Sequence, residues 1–168
     1  TPNGDLSDGL NEEDGINDFV KSRLHDSLIK LYENSDPENE EVFFSSEEKN
    51  YIVQHDFCIG KRRSTDSGIH AETECKETMP LYVGLVNVHE YARASLDSNC
   101  KTIFDKSCVN YNYFKSLGRA DNYSYLTLTG VADNNYQVFK IKYAEIVGTA
   151  ASNSNQLHPA IYINSRTI

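Results

Sequence analysis

LYVGLVNVHEY, residues 81–91, holds the change of period on which the fold turns. Its first six residues, Leu81 to Val86, form a nearly continuous apolar run. That run reads as a central strand buried on both faces. Asn87 ends it and starts a helix, expected from Val88 to about Leu96. Glu90 stands three residues after Asn87, the spacing at which a capping residue and an acid satisfy each other's backbone N–H groups. A buried strand leading into a capped helix sets a helix against a sheet.

Upstream, Ile16, Phe19, Val20, Leu24, Leu28 and Leu31 recur at helical spacing, so a first helix is expected over 14–33, capped by Asn11 or Asp14. It stops before Pro37. Residues 1–13 are polar and read as a flexible lead-in. Ser45 or Ser46, followed by Glu47 and Glu48, starts one more helical turn, and Tyr51–Val53 is a short strand. Downstream, Tyr125–Thr129 and Tyr136–Tyr143 read as strands joined by a turn at Asp133, Asn134 and Asn135. Ile146–Val147 is a brief strand, and residues 159–163 are the last. Residues 58–78 and 97–123 are long polar excursions. The pattern is α+β, with a single domain over 14–168.

Two close pairs of cysteines fall in those excursions: Cys58 with Cys75, and Cys100 with Cys108. Neither has the spacing of a zinc knuckle or a thioredoxin motif. Four cysteines allow three connectivities. The two local pairings are favoured because short loops close at small entropic cost. Such staples belong to an oxidising compartment, and so to an extracellular protein. The chain begins at Thr1 without a leader, which reads as an ectodomain whose export or anchoring segment has been removed.

The net charge is −9 and uneven. Residues 1–50 carry 14 acids and 4 bases, whereas the remainder is close to neutral. An acidic chain argues against a nucleic-acid partner, which needs a concentrated basic surface. The one basic cluster, Lys61, Arg62 and Arg63, reads as a solvated loop near Asp56, Asp66 and Glu72. No stretch approaches the ~20 apolar residues of a membrane span. Asn122 to Ser124 fits a glycosylation sequon, a triplet that also arises by chance.

The order of segments resembles a known family. A helix leads to His55-Asp-Phe-Cys58, then to a loop carrying Arg63-Ser64. Tyr82 to Tyr91 (YVGLVNVHEY) follows, then a cysteine-containing loop, then Ser124 to Thr129 (SYLTLT), and finally His158 to Ser165 (HPAIYINS). Over about residues 16–165 this resembles the C-type-lectin-like, sulfatase-modifying-factor-related domains of Gram-positive surface proteins. Leu126 stands where a tryptophan is usual there, and His158 where an arginine is usual. The resemblance implies a twisted antiparallel sheet flanked by two helices, with neighbouring N- and C-terminal strands. It also implies long disulfide-pinned loops that carry binding, here parts of 97–123 and 130–158.

Several chemistries were weighed on the residues. Formylglycine-generating enzymes share the implied fold and need a late pair of cysteines, but none follows Cys108. The calcium-lectin signature is absent, and Asp121, Asn122 and Asp133–Asn135 read first as turn residues. His70, Glu72 and Glu74 would share one face of an extended segment, a plausible zinc or nickel set, against a plain solvated loop. No nucleophile elbow occurs. His55 and Asp56 fall on opposite faces of a strand, and His89 reads as a surface residue. Tyr111, Asn112, Tyr113 and Phe114, with Tyr123 and Tyr125, form the most binding-like stretch, since tyrosine gives contact area at low entropic cost. The alternative is that Tyr113, Phe114 and Leu117 pin the loop to the core.

The resulting expectation is a non-enzymatic adhesion module of a bacterial surface or pilus-associated protein. It has no cofactor, and contacts a protein or glycan ligand through Tyr111, Asn112, Tyr113, Tyr123, Asp133, Asn134 and Asn135. The alternatives are a secreted metal-dependent enzyme or metal-binding domain, and a structural pilin-like subunit.

Overall fold

The computed structural model describes residues 15–33, 43–110, 112–114, 124–142, 145–153 and 157–164. A 3-10 turn, Phe19–Lys21, precedes helix α1, Arg23–Glu33. Helix α2 is Ser46–Lys49. Three short strands follow, β1 (Ile52–Val53), β2 (His55–Cys58) and β3 (Lys61–Arg62). Beyond a second 3-10 turn, Glu74–Lys76, come β4 (Thr78–Leu81) and β5 (Gly84–Leu85). Helices α3 (Val88–Arg93) and α4 (Lys106–Asn110) lead to the long hairpin strands β6 (Ser124–Val131) and β7 (Gln137–Lys142). The chain continues as β8 (Glu145–Ala150), β9 (Pro159–Ala160) and β10 (Tyr162–Ile163).

The main sheet has the order β3-β6-β7-β8. It is antiparallel except that β3 runs parallel to β6. Three two-stranded antiparallel ladders, β1-β10, β2-β4 and β5-β9, complete the strand pairing. The α+β expectation therefore holds, with four short helices among the described residues rather than two.

Strand β6 is the centre. Six consecutive residues of it, from Leu126 to Val131, are buried. On one side Leu126 and Leu128 pack with Phe19, Leu24 and Leu28 of the N-terminal segment, and with Phe57, Leu81, Val83 and Leu85. On the other, Val131, Phe139, Ile141 and Ile146 pack with Val88, Tyr91 and Ala92 of α3, and with Ile103 and Val109 around α4. Side chains alternate along a strand, so β6 serves both sides; its ladder with β7 shifts register between Leu126 and Gly130.

The run at 81–86 is buried as expected, but it is not the central strand. It breaks into the ends of two ladders. Tyr82 turns outward and stacks on Tyr32 at 4.2 Å. Gly84 lies so close to the Phe57 ring that an added Cβ would sit 2.4 Å from it. That contact sets the start of β5 close against Phe57 of β2.

The first helix also starts later than its apolar spacing indicates. Ser22 is fully buried; its hydroxyl donates to the Phe19 carbonyl at 2.7 Å and accepts from the His25 N–H at 3.2 Å. It is therefore the cap of α1, and the expected caps Asn11 and Asp14 lie outside the described residues. Asn17, just before, is tied to the β6–β7 turn. Its side-chain amide donates to the carbonyls of Val131 (2.7 Å), Gln137 (2.9 Å) and Asn134. Those bonds tie the segment before Phe19 to the sheet and keep it out of the helix.

The expected caps of the next two helices are observed. The Ser45 hydroxyl accepts from the Glu48 N–H, and the Glu48 carboxylate accepts from the Ser45 N–H. Glu90 likewise accepts from the Asn87 N–H at 2.8 Å. Both local disulfides, Cys58–Cys75 and Cys100–Cys108, are formed. In the chain-entropy account each stabilises the fold by about 2.5–3 kcal/mol. The loop expected over 97–123 contains α4, and Cys108 fixes that helix to the core.

Candidate functional site

Two clusters carry chemistry, and they lie on either side of Asn87. The first is buried. Arg62 and Glu74 are both fully inaccessible, and the Arg62 Nε donates to the Glu74 Oε1 at 2.6 Å. The rest of the guanidinium donates to carbonyls of the 58–78 excursion: Gly68 at 2.7 Å, His70 at 2.9 Å and Asp66 at 3.3 Å. The other Glu74 oxygen accepts from His89 Nδ1 at 2.7 Å and from the Thr129 hydroxyl at 3.1 Å. Burial pushes the Glu74 carboxyl up, but the His89 hydrogen bond and the Arg62 charge together hold it below its ordinary value. This network replaces a hydrophobic core for an excursion that has almost no apolar residues.

Three expectations are corrected here. Arg62 is not part of a solvated loop, because its planar fork is the only group able to satisfy so many inward carbonyls. His89 is buried rather than superficial, because α3 turns it toward Glu74. His70, Glu72 and Glu74 do not converge as a metal set. His70 meets Glu72 (2.9 Å) and Asp66 (3.4 Å) near the surface, whereas Glu74 points inward from a 3-10 turn. An extended segment would have aligned the three, and this segment is not extended. Among the described residues no group of three or more His, Cys, Asp or Glu is placed to hold a metal ion.

The second cluster is an open groove of about 540 Å³ between α3, β6 and the segment 158–162. Aromatic rings wall it: Phe57, Phe114, Tyr125, His158 and Tyr162. His158 stacks on Tyr125 with centroids 4.4 Å apart, and His55 stacks on Tyr162 at 3.6 Å. Phe57 meets Tyr162 edge-on at 5.5 Å, and Phe114 stacks on the buried Tyr91 at 5.9 Å. Val86, Pro159, Ala160 and Ile161 add aliphatic wall. Burial, with the neighbouring Tyr91 hydroxyl, raises the Tyr125 phenol far above its ordinary value, so it stays neutral. Burial lowers the His158 imidazole, which favours its neutral form.

One carboxylate, Glu90, enters this groove. Its Oε2 is used by the Asn87 N–H, and its Oε1 stands 3.5 Å from the Tyr162 hydroxyl. A second, smaller cleft of about 320 Å³ runs along α1 beside the Tyr32–Tyr82 stack.

The residues expected to bind ligand are dispersed. Asn112 is buried, and its amide donates to the carbonyls of Tyr91 (2.6 Å) and Cys108 (2.8 Å) while its oxygen accepts from the Phe114 N–H. It is a structural bracket, with its hydrogen bonds spent inside the fold. Asp133 accepts from the Ser64 N–H and hydroxyl, and Asn134 accepts from the Tyr136 N–H as an Asx turn does. The Asn135 carbonyl accepts from the Asn17 N–H. These three organise the β6–β7 turn. Tyr113 is half-exposed and meets Phe114 edge-on. Tyr111 and Tyr123, like Leu117, lie outside the described residues.

Of the groove, the sequence supplied Phe114 and Tyr125 as members of the binding-like stretch. Glu90 was legible only as a helix cap, and Tyr162 only as strand. No local pattern brings them together, since the groove forms where the last strands return to α3. Leu126 is a buried core residue. His158 is groove wall.

The chain matches no family model, and neither a curated protein nor a solved structure is similar to it. Among the described residues no helix is long and apolar enough to cross a membrane.

Proposed function

We propose that this chain is an extracellular, non-enzymatic binding module of C-type-lectin-like build, belonging to a bacterial surface or pilus-associated protein, whose ligand seats in the aromatic groove. The groove carries the reading. A concave, largely apolar wall with a few fixed polar groups is the usual form of a ligand site. Its components are anchored on a helix and on paired strands, so the surface is formed before any ligand arrives. The two disulfides suit an oxidising compartment. The pairing of β1, the first strand, with β10, the last among the described residues, supports the lectin-like build.

The test is a glycan and peptide array probed with wild type, Tyr162→Ser and Tyr113→Ala, each first shown to be folded by thermal melting. Binding should be lost in Tyr162→Ser and kept in Tyr113→Ala. Loss in Tyr113→Ala alone would move the site to the loop before residue 115.

A further inference from the structure

We propose that the aromatic groove is a site for an organic ammonium ion, with the trimethylammonium head as its best occupant. This deepens the preceding reading and rests on it. The starting observation is charge. Among the described residues lining the groove, Glu90 is the only carboxylate, and no lysine or arginine lines it. Nor is Glu90 ion-paired with any described basic residue; its partners are the Asn87 N–H and the Tyr162 hydroxyl. A partly buried carboxylate without a counter-ion, in a groove lined by aromatic rings, is a site short of one positive charge.

The rings supply the rest. An aromatic face carries negative potential and attracts a cation within about 6 Å of its centroid. Phe57, Phe114, Tyr125 and Tyr162 all line the same groove, and both tyrosines are held neutral or pushed toward neutrality by burial. His55, which is not among the lining residues, stacks on Tyr162, and His158, itself part of the wall, stacks on Tyr125.

The lining also selects among cations and against sugars. A saccharide needs many convergent donors and acceptors, but no Asn, Gln, Ser or Thr side chain is among the described lining residues. A primary ammonium is strongly hydrated and brings three N–H donors that must be satisfied on burial. Here the side-chain acceptors are few: one Glu90 oxygen is already engaged, and the Tyr125 hydroxyl is bonded to Tyr91. A quaternary ammonium has no N–H to satisfy. It presents methyl groups to Val86, Pro159 and Ile161 and charge to Glu90 and the rings.

The experiment is titration of the full chain by NMR or calorimetry with choline chloride, 3,3-dimethyl-1-butanol (its neutral carbon isostere) and N-acetyl-lysine methylamide. Choline should bind at least ten-fold more tightly than either of the others. Glu90→Gln keeps an oxygen for the Asn87 N–H while removing the charge, so the helix cap survives. It should weaken choline at least ten-fold and leave the neutral isostere unchanged. Tyr162→Leu should weaken choline by a similar factor. Equal binding of choline and its isostere, or choline binding untouched in Glu90→Gln, overturns the proposal. Tighter binding of the lysine derivative overturns the choice of a quaternary head. If choline fails while an array ligand is lost in Tyr162→Ser, the groove stands and the ammonium falls. If array binding also ignores Tyr162, the groove reading falls as well.

Discussion

Glu74 and Glu90 are the same residue type on either side of Asn87, yet they do opposite things. Glu74 is sealed in, with both oxygens taken by Arg62, His89 and Thr129. Glu90 is partly exposed, with one oxygen committed to a helix cap and the other near a phenol. A carboxylate whose lone pairs are all answered inside the protein serves structure. One with capacity to spare beside a concave surface is available to a ligand. Number of partners, rather than burial alone, separates the two.

The sharpest way to break the comparison is Glu74→Ala. It leaves Arg62 charged in the interior with only the Asp66 carboxylate, 3.2 Å from its Nη1, as counter-ion, so a loss of about 3 kcal/mol is expected in urea unfolding. A loss below about 1 kcal/mol would mean that Arg62 finds water or another partner. The double change Cys58→Ser with Cys75→Ser should cost about 3 kcal/mol, because it frees the excursion that Arg62 holds. Gly84→Ala forces a methyl against the Phe57 ring and should cost about 1–3 kcal/mol by the same measurement. Unchanged stability there would show that the ring can swing aside.

Acid offers an independent probe. Glu74 titrates below its ordinary 4.5 in the folded protein, and Asp66, burial notwithstanding, is likewise held low by the Gly68 N–H and Arg62. A carboxyl whose folded value is depressed contributes stability that is whole above its unfolded value and is lost as pH falls through the folded one. Wild type should therefore lose stability as pH drops below about 4.5, and Glu74→Gln should show a shallower slope over that range. The smallest stability effect belongs to Glu90→Gln, within about 0.5 kcal/mol of wild type. A larger loss would put Glu90 in the same class as Glu74 and erase the distinction.

Local rules read this chain well and long-range ones poorly. The caps at Ser45 and Asn87, the Asx turn at Asn134, the β6–β7 hairpin and both disulfides all depend on residues close in sequence. They were visible because their chemistry is complete within a few positions. The central strand was misplaced because an apolar run reports burial but not pairing. Tyr82 and Gly84 break the run at 81–86 through contacts with Tyr32 and Phe57, which no window contains. Taken singly, Arg62, Glu74 and His89 read as surface or loop residues, where isolated charges usually belong. Only their mutual pairing, across three separate segments, lets them be buried. The groove was hidden for the same reason. Its Glu90 lies on α3 and its Tyr162 on β10, and the two meet through the return of the last strands.

That return has a mechanical corollary. Strand β10 is two residues long, and it holds to β1 by a ladder far too small to be stable alone. Tyr162 belongs both to this latch and to the groove wall. Whatever fills the groove therefore bolts β10 in place, and by reciprocity any pull that peels β10 from β1 empties the groove.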